Sequence, residues 1–230
     1  LDCERKDPHK RIAFQNDEKR IKCYTEICGI PFERAVGYTT VGCNEPAFLG
    51  AITGSNSKIN FLRSMETVFH KKSKLIENNA SFDDFFDIFK KELFSDLERA
   101  YEYDNFYNKQ RAQDINYISS LVFNDCIENA KSLTQGGGNT VIASPMCLGI
   151  TNVIDSLCVV KQFVFDEKLF PMSELIAALK ADWQGYEDMR MLILKKGKFF
   201  GNDDDTSNYI AQKLYRELYD FLKDKTNLYG

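Results

Sequence analysis

Residues 35–46 read AVGYTTVGCNEP, and this stretch decides the fold. Its first seven residues are rich in strand-forming side chains and are followed by Gly42, a pattern typical of a short buried strand. The strand runs directly into Gly42-Cys43-Asn44-Glu45-Pro46. Because α/β proteins place their chemistry at the carboxyl ends of strands, we expect a functional site there.

The rest of the chain is predicted to be mostly helical. A second strand is expected at residues 140–144. It follows a run of three glycines, which would destabilise a helix or strand and therefore predict a loop. Helices are expected at residues 16–28, 58–77, 82–103, 105–131, 150–167, 174–183, 186–194 and 209–224. Strands followed by helices, without Asn-Gly hairpin turns, predict an α/β fold with parallel pairing. Because a sheet of so few strands has unpaired edges, the chain is expected to be part of a larger protein or assembly.

Composition excludes several classes of protein. Of 230 residues, 43% are hydrophobic and 28% charged, which argues against intrinsic disorder. The net charge of −4 is spread along the chain without a basic block, so nucleic acid is not an expected partner. No stretch approaches the roughly 20 apolar residues that span a bilayer, and the first residues lack a secretory signal. We expect a soluble, cytoplasmic protein.

Seven cysteines and two histidines give no zinc-binding pattern. The odd number of cysteines, scattered through apolar surroundings, predicts reduced thiols. Cys23 and Cys28 stand five apart on a predicted helix, so they do not face each other, and no metal site is expected there.

Cys43 and Glu45 are the candidate catalytic residues. Two apart on an extended segment, they would point to the same side. A thiolate nucleophile normally has a cationic neighbour, whereas Cys43 has an acid, which favours hydrogen-atom transfer by the thiol. Burial would raise the pKa of Glu45 and suit it to acid/base work. On these grounds alone, a packing cysteine beside a capping glutamate remains the competing interpretation.

Ordered motifs run along almost the whole chain. They begin with residues 16–18, 29–35 and 38–46 (NDE, GIPFERA and YTTVGCNEP). They continue in register through residues 125–131, 136–138, 149–157, 175–186 and 200–205 (DCIENAK, GGG, GITNVIDSL, LIAALKADWQGY and FGNDDD). Together these motifs resemble those of the glycyl radical enzymes of the pyruvate formate-lyase-like family.

The resemblance implies a ten-stranded β/α barrel surrounded by helices. By the same resemblance, Cys43 would hold a thiyl radical that abstracts a substrate hydrogen atom, and Glu45 would be the base that promotes loss of a leaving group. No metal or organic cofactor is expected to bind this chain. The radical would be stored on a glycine of a separate loop and installed by an S-adenosylmethionine-dependent iron–sulfur activating enzyme, in an anaerobic cytoplasm. A homodimer acting on a small molecule is implied.

Two departures from the family pattern shape this interpretation. Cys43-Asn44 replaces the two adjacent cysteines of pyruvate formate-lyase, and Glu45 matches the branch of dehydratases, other lyases and decarboxylases. The Arg-Val-x-Gly-Tyr-like radical loop is missing, and we interpret the similar residues 34–38 as a coincidence. Residues 1–230 are therefore expected to be the C-terminal part of a catalytic domain, without its N-terminal half and glycyl radical domain. The alternatives are an arylacetate decarboxylase and a non-catalytic truncated paralogue or scaffold.

Other polar motifs have more ordinary interpretations. Ser55, Asn56, Ser57 and, more weakly, Asn139 are candidate substrate contacts by resemblance. Residues 136–139 could cradle a phosphate, but no Lys-Ser/Thr pair follows them. Residues 202–205 lack the ligand spacing of a calcium loop and are predicted to cap a helix. His70, beside two lysines, is predicted to be solvated or partly packed.

Overall fold

The structure is a computed structural model that describes residues 16–41, 45–48, 52–53, 57–138, 141–142 and 146–229. These residues are mainly helical, with short strands between the helices. The strands are β1 (Thr39–Val41), β2 (Glu45–Ala47), β3 (Ile52–Thr53), β4 (Lys58–Asn60), β5 (Val141–Ile142) and β6 (Met146–Leu148).

Among the described residues, two helices precede the first strand, five follow β4, and the others follow β6. Those of the first half are α1 (Asp17–Glu26), α2 (Phe32–Ala35), α3 (Phe61–Lys71), α4 (Ser73–Ile76), α5 (Phe82–Arg111), α6 (Tyr117–Ser120) and α7 (Asn124–Glu128). Those of the second half are α8 (Ile150–Val159), α9 (Met172–Lys180), α10 (Glu187–Lys196) and α11 (Asp205–Leu222). A π-helical segment, Val160–Asp166, continues α8.

Two parallel strand pairs form the α/β part of the molecule. Strand β3 pairs with β5, and β4 pairs with β6 with Ile59 opposite Cys147. Helix α3 follows β4 at once, and α8 follows β6 after Gly149, whose positive φ of 74° makes the turn. The two helices contact each other beside the strands. This parallel arrangement is the one that the sequence predicted.

The register changes between the two parallel pairs. Ile52 lies opposite Val141, and Lys58 lies opposite Met146. Six positions separate Ile52 from Lys58, whereas five separate their partners. The two pairs belong to separate two-stranded sheets.

Helix α5 is the central element of the hydrophobic core. Its N-terminus is a capping box, in which Ser81 and Asp84 each bond the other's backbone N–H. The apolar stripe predicted for this helix is buried: Phe85, Phe86, Phe89, Leu93 and Leu97. Side chains from α3, α8, the π-helical segment, α9, α10 and α11 belong to the same core. Eight of the 18 phenylalanines of the chain are buried in it.

Several predicted element boundaries are wrong. Residues 58–60 form strand β4, because they pair with β6 before Asn60 caps α3. The helix predicted at 105–131 does not exist as one element: α5 continues to Arg111, and the short helices α6 and α7 follow. Asn116 starts α6 by accepting a hydrogen bond from the Ser119 N–H, and this cap breaks the long pattern.

Candidate functional site

The stretch that decides the fold forms an antiparallel pair, β1 with β2. Thr39 pairs with Ala47, Thr40 with Pro46, and Val41 with Glu45. The prediction of a single buried strand of residues 35–41 is therefore wrong in its length and in its pairing, since residues 32–35 are helix α2. The hairpin escaped sequence analysis because its connection has three residues, and the expected signal was a two-residue Asn-Gly turn.

Cys43 is the middle residue of the connection between β1 and β2. Residues 42–44 lie outside the described residues, as does the side chain of Glu45, whose backbone opens β2 opposite Val41. The two candidate catalytic residues thus belong to one hairpin, Cys43 in its connection and Glu45 at the first position of its second strand. Their roles stay predictions.

Three aromatic rings hold the open end of this hairpin. Tyr38 precedes β1, Phe48 follows β2, and Tyr24 of α1 packs edge-on against both, with ring centroids 5.4 Å from Tyr38 and 5.1 Å from Phe48. Tyr24 and Phe48 are buried and, with Ala35, form a small core separate from the one around α5. We call Tyr24, Tyr38 and Phe48 the aromatic clamp.

The aromatic clamp was missed by sequence analysis, although its signal is present. Tyr38 and Phe48 stand equally far from Cys43, five residues before and five after it. They are the next pair in the register that begins with Val41 opposite Glu45. A symmetric pair of aromatic residues around a hairpin connection predicts cross-strand contact. Only the position of Tyr24 needed the tertiary structure.

A hydrogen bond ties the aromatic clamp to the start of α1. The Tyr38 hydroxyl donates to Asp17 Oδ1 at 2.5 Å, and this bond raises the pKa of Tyr38 above its ordinary value. The Arg20 guanidinium lies 5.9 Å from the centre of the Tyr38 ring. Helix α1 itself starts as predicted, with Asn16 accepting a hydrogen bond from the Lys19 N–H at 2.9 Å.

Of the predicted substrate contacts, only Ser57 belongs to the described residues. Its hydroxyl donates to the Ala100 carbonyl of α5 at 3.5 Å, and its carbonyl accepts from the Met146 N–H at 2.7 Å. Ser57 thus lies where β4, β6 and α5 meet. Ser55, Asn56 and Asn139 lie outside the described residues, and their roles stay predictions.

The glycine run is built as a turn rather than as a phosphate cradle. Gly136 has a positive φ of 73° and ends a 3₁₀ turn, and Asn129 donates to the Gly137 carbonyl at 2.8 Å. The element that follows is strand β5, so the glycine run does not lead into a helix N-terminus. Tyr229 packs against it and donates to the Thr134 carbonyl at 2.8 Å.

The aspartate run caps a helix, as predicted. Asp204 Oδ1 accepts from the N–H groups of Thr206 and Ser207 at 2.8 and 3.2 Å, at the start of α11. Desolvation acts to raise the pKa of Asp204, but these backbone bonds and the Lys198 ammonium hold it below its ordinary value. Across the described part of the chain, no three His, Cys, Asp or Glu side chains come together as metal ligands.

The described cysteines and His70 show no arrangement typical of a catalytic site. Cys23 and Cys28 are exposed free thiols, and Cys126 and Cys158 are buried free thiols. His70 is exposed, as predicted, at the rim of a cleft of roughly 470 Å³ between α3, α8 and α9. No helix among the described residues is both long and apolar enough to cross a membrane.

The sequence of the chain matches a known protein family. The sequence model of the family described as pyruvate formate lyase-like matches residues 5–230. The chain belongs to the pyruvate formate lyase-like family. The resemblance that the sequence motifs indicated is therefore confirmed.

Two curated relatives are similar to most of this chain. The probable dehydratase YbiW of Escherichia coli (strain K12) is 30% identical over 94% of this chain and 29% of its own length. The isethionate sulfite-lyase of Desulfovibrio desulfuricans is 31% identical over 87% of this chain and 26% of its own length. The chain therefore spans less than a third of the length of these relatives.

A solved structure of the pyruvate formate lyase-like family confirms the fold class. The glycerol-bound form of the B12-independent glycerol dehydratase from Clostridium butyricum superposes with a TM-score of 0.85 at 28% identity. The superposition covers 96% of this chain and 29% of the dehydratase. The described elements thus match one part of a larger α/β enzyme fold.

Proposed function

We propose that this chain is the part of a glycyl radical lyase that carries the hydrogen-abstracting thiol. The observation that supports the proposal best is the position of Cys43, midway between two paired strands of a hairpin with Glu45 at its second strand. A thiol on a short connection can reach a reacting atom, while the paired strands hold it in place. Residues 1–230 would then be one part of the catalytic domain of a longer protein.

Cys43 has a defined task in this proposal. A glycyl radical, installed by an S-adenosylmethionine-dependent iron–sulfur activating enzyme, would take the hydrogen atom of the thiol, so that the S–H bond breaks, a C–H bond forms on that glycine and the sulfur carries the radical. The Cys43 sulfur then takes a hydrogen atom from a substrate carbon: an S–H bond forms and a C–H bond breaks, with one electron going to each partner. The sulfur returns the hydrogen atom to the product at the end of the cycle.

Glu45 would act as the base in the same reaction. After the hydrogen atom has left, its carboxylate accepts the proton of a substrate hydroxyl beside the radical carbon. The resulting electron density expels a leaving group from the neighbouring carbon: sulfite or an amine leaves directly, and a hydroxyl group leaves as water when it takes up the proton that Glu45 has accepted. A base acts efficiently when its pKa is near the working pH, which a closed, water-poor chamber favours for a carboxylate. The same closure protects the radical from water and oxygen, consistent with an anaerobic cytoplasm.

The substrate is proposed to be a small polar molecule that loses water or sulfite. The curated relatives are named a dehydratase and a sulfite-lyase, and the solved relative is a glycerol dehydratase. All these names describe eliminations, so we favour elimination over decarboxylation of an arylacetate. Ser55, Asn56 and Ser57, which lie in the chain between β3 and β4, would contact this substrate. Asn139 precedes β5, the partner of β3.

The test uses the complete protein that contains this chain, produced anaerobically together with its activating enzyme. We expect an electron paramagnetic resonance doublet from the glycyl radical. Cys43→Ser should keep the doublet and lose all turnover, and Glu45→Gln should lower turnover by about a hundredfold or more. Cys23→Ser, at an exposed thiol on α1, is the matched control and should keep full activity.

Glycerol and isethionate are the first substrates to try, with products analysed for aldehyde, sulfite and carbon dioxide. Release of carbon dioxide from an arylacetate would instead support the decarboxylase alternative. An activated protein without a radical signal, or a Cys43→Ser protein that still turns over, would show that the proposed mechanism is wrong. Absence of any radical would favour the scaffold alternative.

A further inference from the structure

We propose that Tyr38 is a positioning residue for Cys43, acting through the aromatic clamp and its bond to Asp17. It would hold the open end of the β1–β2 hairpin and so set the distance over which a hydrogen atom moves to and from the Cys43 sulfur. This inference rests on the proposed function, because it concerns the same thiol.

The hairpin needs such support because its own ladder is weak. Each strand has three residues, and a two-stranded hairpin of this length is at best marginally stable in water. Pro46 lies within β2 and has no N–H to donate to its partner Thr40. The hydrogen bonds of the ladder therefore cannot fix the hairpin by themselves.

The aromatic clamp stabilises the hairpin where the hydrogen bonds between its strands are too few. Tyr24 is 8% exposed and Phe48 is 6% exposed, and both edge-to-face contacts of Tyr24 are made with residues that flank the strands. Edge-to-face aromatic pairs contribute beyond simple burial, since the positive edge of one ring meets the negative face of the other. Both legs of the hairpin are thus attached to one helix, α1.

The Tyr38 hydroxyl fixes the rotation of the attached ring. Its hydrogen bond to Asp17 is charge-assisted, and such bonds are shorter and stronger than neutral ones. Because the pKa of Tyr38 is raised, the phenol stays protonated and keeps donating throughout the physiological pH range. Asp17 lies in the first turn of α1, so the bond joins the start of the helix to the start of β1.

Hydrogen-atom transfer is sensitive to small displacements of the thiol. Reacting atoms need to approach to about 3 to 3.5 Å, and a misplacement of about 1 Å can slow a reaction about a hundredfold. A rotation of Tyr38 would displace the start of β1 and, through the paired strands, shift the end of β1 that precedes Cys43 in the chain. A change at Tyr38 should therefore slow transfer at Cys43, five residues away, without touching a substrate.

An isotope-exchange experiment on the complete, activated protein tests this without a known substrate. In D₂O the thiol carries deuterium. The glycyl radical takes this deuterium from sulfur, and the thiyl radical then takes back the protium, so the Cα–H of the radical becomes Cα–D. The electron paramagnetic resonance doublet, which comes from that protium, collapses at a rate that reports transfer at Cys43.

We expect the wild-type doublet to collapse and the Cys43→Ser doublet to persist. Tyr38→Phe keeps the ring but loses the hydroxyl, and it should slow the collapse about three- to tenfold, as expected for the loss of one hydrogen bond. Asp17→Ala should slow it by a similar factor, and the double variant should be no slower than either single one. Tyr209→Phe, at an exposed tyrosine on α11, is the control and should match the wild type.

The outcomes separate the inference from the function on which it rests. A wild-type doublet that does not collapse, or a Cys43→Ser doublet that does, overturns the proposed function. If both behave as expected and Tyr38→Phe exchanges at the wild-type rate, only the positioning role is overturned. Equal slowing by Tyr209→Phe, or a failure of Tyr38→Phe to take up the radical, also counts against that role.

Discussion

Cys158 is a buried thiol on α8. Burial raises its pKa from the ordinary 9.0 to about 12, and the carboxylates of Asp155 and Asp204 add to the rise. The thiolate fraction at neutral pH therefore falls about a thousandfold. We predict that iodoacetamide at pH 8 labels the exposed Cys23 rapidly and Cys158 only after unfolding, as measured by peptide mass spectrometry. Similar labelling rates for both thiols in the folded protein would contradict this prediction.

Asp83 at the start of α5 accepts a hydrogen bond from Lys213 of α11. That bond and the ammonium charge lower the pKa of Asp83 below its ordinary 3.8. A lowered folded-state pKa stabilises the fold above the unfolded-state value, and this stabilisation is lost as the pH falls through the folded-state pKa. Because Asp83 is exposed, we expect only about 0.5 kcal/mol.

The measurement is chemical unfolding of wild type and Asp83→Asn between pH 6 and pH 2.5. The variant should be less stable at pH 6 and should converge with the wild type at the lowest pH. Asp188→Asn, at an exposed carboxylate in the first turn of α10, is the control for charge at a helix start. A stability difference for Asp83→Asn that does not change with pH would argue against the ion pair.

Helix α5 depends on its capping box. Ser81 Oγ accepts from the Asp84 N–H at 3.2 Å, so Ser81→Ala leaves a donor of the first turn without its partner. We expect a loss of about 1 kcal/mol in the free energy of unfolding. Ser95→Ala, an exposed position in the middle of the same helix, should be neutral or slightly stabilising, because alanine is the better helix former. Equal effects at the two serines would show that the cap is unimportant.

Gln162 attaches the loop after α10 to the π-helical segment. Its side chain donates to the Lys196 carbonyl at 3.1 Å and accepts from the Lys198 N–H at 3.1 Å. Gln162→Met keeps the length of this buried side chain but removes the hydrogen-bond partner of both backbone groups. We therefore predict a loss of about 2 to 3 kcal/mol in the free energy of unfolding. Gln184→Met, at an exposed site, should change stability by less than about 0.5 kcal/mol. Thermal unfolding of both variants provides the comparison.

At the scale of the whole molecule, stability comes from the core around α5. Phe89 is fully buried there, whereas Phe106 on the same helix is 61% exposed. Phe89→Ala should cost about 3 to 5 kcal/mol, because it removes apolar burial and leaves a cavity. Phe106→Ala should stay within about 0.5 kcal/mol. Similar losses for both, measured by urea unfolding, would mean that the assignment of the core is wrong.

The sequence by itself determined the fold class, the family and much of the helix pattern. The stripe of α5, its Ser81 cap, the Asn16 cap of α1 and the Asp204 cap of α11 are local features, because each needs only side chains three or four residues apart. The motif around Cys43 identified the family because its order along the chain needs no coordinates. The residues of the aromatic clamp could have been noticed from their symmetric spacing about Cys43.

Only the tertiary structure decided which strands pair and what supports the candidate site. Strands of two or three residues carry too little pattern to show whether β1 meets β2 or another strand, since pairing depends on partners distant in sequence. The contact of Tyr24 with both legs of the hairpin arises for the same reason: α1 must fold back onto β1 and β2 before its buried tyrosine meets them. Both features depend on packing between segments that are distant in sequence, which a local sequence pattern does not encode.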